Sequence, residues 1–415
     1  YLAFTADEDE DCCYIRFADW NYRCLDCDYT YNSTDCYESI DLEKCNNCSY
    51  SQRCINSSDL FACYNMIGCQ DCIGSANLRN KKYVIFNEVC ISREDYIQKK
   101  RELGLSTYSG MQKFMQRYKE FLANQPRRCL ELVNCENSIG DYLLNCKNAQ
   151  FCYNGFELED CKYTVNCYKA KNCYDWDFVA STGCVDCHEM SSCASNMVNC
   201  HFCAGCWQGC SEIYYCELCL HSKNLFGCVG LRHKEYCILN KQYSQEEYKA
   251  LLSKIIEHMQ KTGEWGEFFP ITFSAYAYNE SVASEYFPLS KEQAEAKGLK
   301  WFDDDTEKLY KGPAYLLPGN LEDASEEICK QILKCEVSGR PYKIIPQELN
   351  FCKMKGLQLP RISPRERHKK RMQLRNGFAL YDRKCQKCNK DIKTTYAPGR
   401  IEPVYCEECY KREIY

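Results

Sequence analysis

Six cysteines recur every nine residues, at Cys27, Cys36, Cys45, Cys54, Cys63 and Cys72. A fixed short step of one residue type marks a repeat architecture, in which each unit buries its apolar side only against its neighbours. Filling six positions of one phase by chance has a probability of the order of 10⁻³. The step returns at Cys210, Cys219, Cys228 and Cys237. A second array carries cysteines six apart, at Cys129/Cys135, Cys146/Cys152, Cys167/Cys173, Cys187/Cys193 and Cys210/Cys216. Their starts step by 17, 21, 20 and 23 residues. Two nines make 18, so the expected unit is a β-solenoid coil of about 18 to 20 residues. Asn or Asp precedes many of the cysteines, as in Asn47-Cys48, Asn145-Cys146, Asn166-Cys167, Asp35-Cys36 and Asp160-Cys161. Both tolerate left-handed backbone and suit corners. Tyr often follows, as in Cys36-Tyr37, Cys152-Tyr153 and Cys173-Tyr174, and Tyr is a strand former. This rhythm predicts Cys stacked on Cys inside and Tyr on Tyr along a face.

The two arrays end alike. Residues 77–87, with Leu78-Arg79 and Tyr83, match residues 230–240, with Leu231-Arg232 and Tyr236. Each is followed by a helix start, Ser92-Arg93-Glu94-Asp95-Tyr96 and Ser244-Gln245-Glu246-Glu247-Tyr248, the second with capping-box spacing. Behind the second start, Tyr248, Leu251, Leu252, Ile255, Ile256 and Met259 form a helical stripe, and Met111, Phe114, Met115, Tyr118, Phe121 and Leu122 do so after the first. These stripes are expected to cover open ends of the coils.

The chain closes on Cys385-Gln386-Lys387-Cys388 and Cys406-Glu407-Glu408-Cys409, the spacing of a four-cysteine zinc ribbon. With all four positions taken by Cys, no coordination site is left for a substrate, so the expected zinc is structural. These knuckles, together with residues 225–232, 238–243, 264–270, 278–280, 345–349, 380–385 and 404–409, resemble a family of uncharacterised, cysteine-rich, zinc-ribbon-containing proteins of uncultivated candidate-phylum bacteria. The resemblance covers nearly the whole chain and implies architecture and zinc rather than an activity. It implies a second metal module upstream of the ribbon, where this chain departs from the pattern: it offers only Cys335, Cys352 and His368, with Cys329 nearby.

Charge is unevenly spread. Residues 329–415 hold 21 Lys and Arg against 9 Asp and Glu, a net of +12. The rest must carry −17 to give the whole chain its −5. A basic helix is expected from Ser363-Pro364, presenting Arg365, Arg367, Lys369, Lys370, Arg371 and, beyond it, Arg375. Two readings stand side by side: the segment binds nucleic acid or another anion, or it contacts its own acidic body.

Two further cysteine patterns remain. Cys200, Cys203, Cys206 and Cys210 have bacterial ferredoxin spacing, with Ser211 where Pro is usual. They read as an iron–sulfur site, a zinc site or buried thiols. Cys184-Val185-Asp186-Cys187-His188 matches the haem attachment motif, but with nine CxxC pairs and six His an accidental match has a probability of the order of 0.1, and with no clear axial partner haem is not expected. Walker, dinucleotide-binding, HExxH and GxSxG motifs are lacking, and six His leave few acid–base candidates, so no catalytic residue is assigned. No apolar run approaches a membrane span. Tyr1 in place of Met leads us to expect sequence upstream, and leaves an export signal unread. An odd count of 37 cysteines in 415 residues and a thiolate zinc site favour a reduced cytoplasm.

The expected fold is mainly β: two tandem solenoid arrays with capping helices at 1–125 and 126–261, a mixed link at 262–328, and a basic zinc-ribbon module at 329–415. The link includes a short helix capped by Ser290 with Gln293 and stopped by Gly298. The expected function is a non-enzymatic, zinc-binding scaffold for a protein partner, with nucleic acid as a candidate partner of the last module. The alternative is an iron–sulfur or thiol redox protein centred on Cys200–Cys210.

Overall fold

A computed structural model describes residues 2–105, 107–184, 210–267, 269–303, 314–318 and 321–415. Cys187 and His188 of the haem-type motif, and Cys200, Cys203 and Cys206, lie outside the described residues. The underlying unit is shorter than the nine- and six-residue steps of the cysteines, and equals the spacing of CxxC pairs such as Cys24/Cys27 and Cys45/Cys48. From Leu2 to Phe86 nearly every third residue has φ near +50°, as at Asp35, Glu38, Asp41, Lys44 and Asn47. From Asp11 to Asn77 the residue after each of these turns inward. Cys12, Ile15, Ala18, Cys24, Cys27, Cys36, Leu42, Cys45, Cys48, Cys54, Leu60, Cys63, Met66, Cys69, Cys72 and Val84, all at multiples of three, form one apolar cluster.

Four such steps make the register. Strands β1 (Phe4–Asp7), β2 (Arg16–Asp19), β3 (Leu25–Tyr31), β4 (Tyr37–Glu43) and β5 (Gln52–Ile55) pair in sequence order and in parallel. Strands β6 (Ser58–Phe61), β7 (Gln70–Ile73) and β8 (Lys82–Ile85) continue the pattern. Partners lie twelve residues apart throughout: Arg16 with Asp28, Leu25 with Tyr37, Ile40 with Gln52 and Gln70 with Lys82. The repeat is therefore twelve, and the nine and six seen in the sequence are three and two of the three-residue steps. Cys12, Cys24, Cys36 and Cys48 share one position in four successive repeats, and the Cys24 amide donates to Cys12 Sγ at 3.3 Å. Aromatic rings stack in register at Phe17 and Tyr29 and at Phe151 and Tyr163, twelve apart, and elsewhere meet diagonally: twelve beyond Tyr37 stands Ser49, and Tyr37 meets Tyr50, and Tyr50 meets Phe61, edge to face.

The inward thiols have a specific task. Cys27 Sγ donates to Leu25 O at 3.4 Å, Cys36 Sγ to Thr34 O at 3.4 Å, and Ser39 Oγ to Tyr37 O at 2.8 Å. Cys45 Sγ also lies 3.2 Å from Cys54 O, nine residues on. Cys and Ser are the small side chains that fit this interior and still offer a donor to the carbonyl two residues back. Burial pushes the thiols of Cys27, Cys48 and Cys54 well above their usual range, which keeps them protonated.

The second array follows the same rule after one irregularity. Strands β10 (Arg127–Arg128), β11 (Leu132–Val133), β12 (Ile139–Leu144), β13 (Gln150–Phe156), β14 (Lys162–Ala170) and β15 (Tyr174–Cys184) come first; β11 to β15 pair in parallel. The β11–β12 step is eleven residues, and a register shift at Ile139/Gly140 restores twelve. Gly140 has φ +153°, and a Cβ there would sit 1.8 Å from Cys152 O, so only glycine fits. Strands β16 (Ser211–Tyr214), β17 (Lys223–Phe226) and β18 (Glu235–Ile238) complete the parallel set. Cys210 is buried in the same apolar cluster as Cys146, Cys161 and Cys237.

The predicted likeness of the two endings holds in detail. Two-residue strands, β9 (Glu88–Val89) after the first array and β19 (Lys241–Gln242) after the second, fold back antiparallel on β8 and β18. Asn87 and Asn240 each have φ +65° and bracket the preceding repeat, accepting from the amides of Ala76 and Val229 at 2.8 Å. Helix α1 (Arg93–Glu102) is capped by Ser92 and α3 (Gln245–Thr262) by Ser244 with Glu247. Tyr83 meets Tyr96, and Tyr236 meets Tyr248, at 5.7 Å between ring centres. The stripe of α2 (Tyr108–Ala123) packs on Ala62, Ile73 and Phe86, and that of α3 on Phe226 and Ile238. These residues come from successive strands, so the helices cover a flank; the folded-back strands close the edge.

Beyond α3 lie the short helices α4 (Ala283–Tyr286) and α5 (Lys291–Ala296), the latter with the expected Ser290–Gln293 capping box. Strands β20 (Leu333–Lys334) and β21 (Pro341–Tyr342), helices α6 (Pro346–Lys355) and α7 (Pro364–Met372), strands β22 (Tyr381–Lys384), β23 (Asp391–Thr394) and β24 (Val404–Tyr405) and helix α8 (Glu407–Ile414) form the last segment. It is not a loose tail. Leu349, Phe351 and Cys352 of α6 share an apolar cluster with Tyr14, Leu25 and Tyr37, and β24 pairs with β10. No helix among the described residues is long and apolar enough to cross a membrane.

Asn56 is an exposed left-handed position with φ +50°. Asn56→Val is expected to lower unfolding free energy by about 1–2 kcal/mol, and Asn56→Gly by no more than a few tenths. Denaturant titration of both variants checks this; equal stabilities would count against the three-residue step.

Candidate metal centre and the ionic seam

The four cysteines of the terminal knuckles converge. After β22 the chain turns through residues 385–390, with the Cys385 amide donating to Lys390 O and the Asn389 amide to Cys385 O, both at 2.8 Å. Asn389 has φ +62° and lets the strand return as β23. Cys406 is the N-cap of α8, so Cys409 stands one helical turn along on the same side. The sulfurs of Cys385, Cys388, Cys406 and Cys409 all lie within 4.8 Å of one another, three buried and Cys388 exposed. Burial works against a thiolate at Cys385, yet the amides of Cys406, Cys388 and Lys387 outweigh it and bring the thiol down to about 6. Burial and the three neighbouring thiols push Cys409 up to about 12. Four sulfurs this close ionise together only around a cation, and they suit a thiophilic metal ion.

The same backbone device stands upstream with different side chains. The Cys335 amide donates to Arg340 O and the Gly339 amide to Cys335 O, both at 2.9 Å, between β20 and β21. Gly339 has φ +71°, as Asn389 has +62°. The N-cap of α7 is Ser363, whose amide donates to Cys335 Sγ at 3.3 Å, as the Cys406 amide does to Cys385 Sγ at 3.2 Å. At the places of Cys388, Cys406 and Cys409 stand Ser338, Ser363 and Glu366. One sulfur does not make a metal site, and the only four-donor group among the described residues is the terminal one. Cys352 is buried in an apolar cluster, and His368 turns elsewhere.

His368 belongs to a seam of buried charge along α7. Arg367 Nη2 lies 2.8 Å from Asp26 and 2.7 Å from Glu348 of α6. Arg371 Nε lies 2.7 Å from Asp28, and its Nη1 3.2 Å from both Asp26 and Glu38. Arg375 pairs with Asp41 at 3.2 Å and lies between the rings of Tyr29 and Tyr142. His368 Nδ1 is 3.1 Å from Asp28 and Nε2 is 3.2 Å from Glu285 of α4, which also pairs with Arg16. With a carboxylate at each ring nitrogen, both must donate, and the imidazole is held protonated beyond its usual range, against the effect of burial. Asp26 and Glu38 sit twelve apart, in register on neighbouring strands, where like charges repel. Arg371 bridges the two.

This corrects the expectation of an anion-binding helix at three of its six residues. The guanidinium groups of Arg367, Arg371 and Arg375 are buried against the first array's own carboxylates, with side-chain exposures of 3%, 2% and 5%. Arg365, Lys369 and Lys370 remain exposed, Lys369 pairing with Glu366 at 3.0 Å. The partners that sequence reasoning missed, Asp26, Asp28, Glu38 and Asp41, precede α7 by more than 300 residues. The segment that carries the four cysteines is seated as firmly: Arg128 pairs with Glu407, Thr394 donates to Cys129 O at 2.7 Å, and the Tyr410 hydroxyl to Asn77 Oδ1 at 3.0 Å. No family model and no curated protein matches this chain.

Two outcomes follow from the seam. Arg371→Met takes one cationic partner from each of three buried carboxylates, Asp26, Asp28 and Glu38, and should cost about 3–5 kcal/mol, whereas Lys370→Met should stay within about 0.5 kcal/mol. Thermal unfolding of the pair checks this; similar small losses would mean the buried contacts do not hold the segment. Burial pushes Glu348 up to about 7, Arg367 opposing and Asp26 adding to the rise. A carboxyl with a raised folded pKa favours the folded state at low pH, and that advantage is lost as pH rises from its unfolded value of 4.5 to about 7. Glu348→Gln should flatten the stability–pH profile over that window; an unchanged profile would place the titration elsewhere.

Proposed function

We propose that the chain is a non-catalytic scaffold fastened by a structural zinc ion. In this reading both arrays are β-solenoids with coils of twelve residues and four three-residue sides. They span 1–125 and 126–261, followed by a link at 262–328 and the zinc module at 329–415. The reading rests on one observation above others: the four sulfurs of Cys385, Cys388, Cys406 and Cys409 gathered within 4.8 Å. The Cys388 and Cys406 sulfurs are 3.7 Å apart. Ligands at the zinc–sulfur length of 2.3 Å on a tetrahedron stand about 3.8 Å apart. Zinc bound there would neutralise thiolates and lock the knuckle to the start of α8. Cys129, Asp141 and Asn77 would then be held from both arrays, since each contacts the ribbon.

A scaffold also accounts for the other thiols better than redox chemistry does. A reactive thiol needs solvent and a depressed pKa. The interior cysteines are buried, donate to main-chain carbonyls, and are free thiols where described. A reduced cytoplasm suits both them and a thiolate zinc site. A partner protein would meet the exposed aromatic residues, and the exposed Arg365, Lys369 and Lys370 are what remains for an anionic one.

Elemental analysis of the anaerobically purified chain should give one zinc per chain without stoichiometric iron or sulfide. Cys409→Ser should lose the ion to a chelator that the unaltered chain withstands, and unfold at lower temperature. Stoichiometric iron, or zinc retained by the variant, would remove this reading.

A further inference from the structure

Away from the metal centre, a cavity of about 250 Å³ opens between the strands of the first array, helix α1 and the end of α6. Its floor is a column of outward residues in register, twelve apart: Asn47, Asp59 and Asp71. The column begins outside the cavity at Asp35, which pairs with Arg23 at 2.7 Å and with Lys355 at 3.1 Å. Lys355 also donates to Asn47 Oδ1 at 3.0 Å, and Asn47 Nδ2 donates to Asp59 at 2.7 Å. The succession stops there. Asp71, half-buried, makes no hydrogen bond or ion pair among the described residues; burial and Asp59 beside it raise its pKa, while Lys100 and Arg93 of α1 and Lys82 of β8 oppose that rise. The walls are apolar and aromatic: Tyr50, Phe61, Tyr96, Met111 and Leu357. Lys355 is committed to Asp35 and Asn47, and Lys100 stands exposed at the rim.

Two carboxylates on neighbouring strands repel, and an unpaired half-buried charge costs free energy. Lys100, Arg93 and Lys82 act on Asp71 from a distance without contacting it, which leaves room at its carboxylate for one positive charge with an apolar body. A calcium ion would need six to eight oxygens, which walls of this kind do not supply. Aromatic faces beside carboxylates favour an organic ammonium. We propose that this cavity binds a small organic monocation, an alkyl or aralkyl ammonium, with its charge against Asp71 and Asp59 and its apolar part against Phe61, Tyr96 and Leu357. The volume holds about eight water-sized groups, which sets the scale of the ligand.

Calorimetric titration of the full chain with phenethylammonium, 2-phenylethanol and phenylacetate tests this. The ammonium should bind saturably, the neutral alcohol at least about tenfold more weakly, and the acid not at all. Asp71→Asn should weaken the ammonium at least about tenfold while unfolding at the same or higher temperature, because the substitution relieves repulsion. Binding of the ammonium should strengthen as pH rises through the carboxylate range. No binding at millimolar ammonium, equal binding of the alcohol, preference for phenylacetate, or an Asp71→Asn variant that binds as well as the unaltered chain would each overturn the proposal.

Discussion

A left-handed residue at every third position is the constraint on which the rest depends. Each such residue costs of the order of 1–2 kcal/mol unless it is Gly, with Asn and Asp the next best tolerated. The conformation survives because each bend places the next side chain inside, and the following repeat takes up the amides and carbonyls. The Asn47 amide donates to Thr34 O at 2.9 Å and the Asn56 amide to Glu43 O at 2.9 Å, each thirteen residues back. A side of three residues leaves one inward position per side. Room there is small, and a side chain that also feeds a nearby carbonyl is favoured. Cys and Ser meet both demands, so the abundance of cysteine follows from the geometry of the step.

The same constraint creates the charged seam. Left-handed residues point outward, and residues twelve apart fall in register, so acidic residues such as Asp26 and Glu38 end up side by side. Such a column is unstable alone. Arg367, Arg371 and Arg375, four residues apart along α7 and its continuation, present one guanidinium per helical turn to it. Buried ion pairs add little net stability, since desolvation offsets most of their attraction. What they supply here is position: α7 has one placement that leaves no carboxylate stranded. His368 extends the seam to α4 through Glu285, so three stretches distant in sequence meet at one helix.

Much of this was legible in the residues, and the gaps have physical causes. The four-cysteine group was plain, because two CxxC pairs at that separation are a recognisable ligand set. The corners were marked at Asp35, Asn47, Asn145, Asp160 and Asn166, all of which have positive φ. The duplicated endings were visible because Asn87 and Asn240 fix a whole turn. The twelve-residue register was hidden because the inward thirds are shared among Cys, Ser, Ala, Leu and Ile, and a count of cysteines alone samples an incomplete set. The fate of the basic helix was hidden for another reason. Arginine reads the same in sequence whether it faces solvent or a buried carboxylate, and the acidic partners are recognisable only once the register is known. Ser338, Ser363 and Glu366 show the converse: the knuckle's backbone persists upstream where three of the four sulfurs do not.

The central claim is that the array cysteines are buried packing groups. Alkylation of the native and the denatured chain without reductant, read residue by residue by mass spectrometry, tests it directly. Cys24, Cys27, Cys36 and Cys48 should resist alkylation in the native chain and be modified completely once it is unfolded. Prompt modification in the native chain would show them to be exposed and reactive, and failure to react after unfolding would show them to be disulfide-bonded; either contradicts the account.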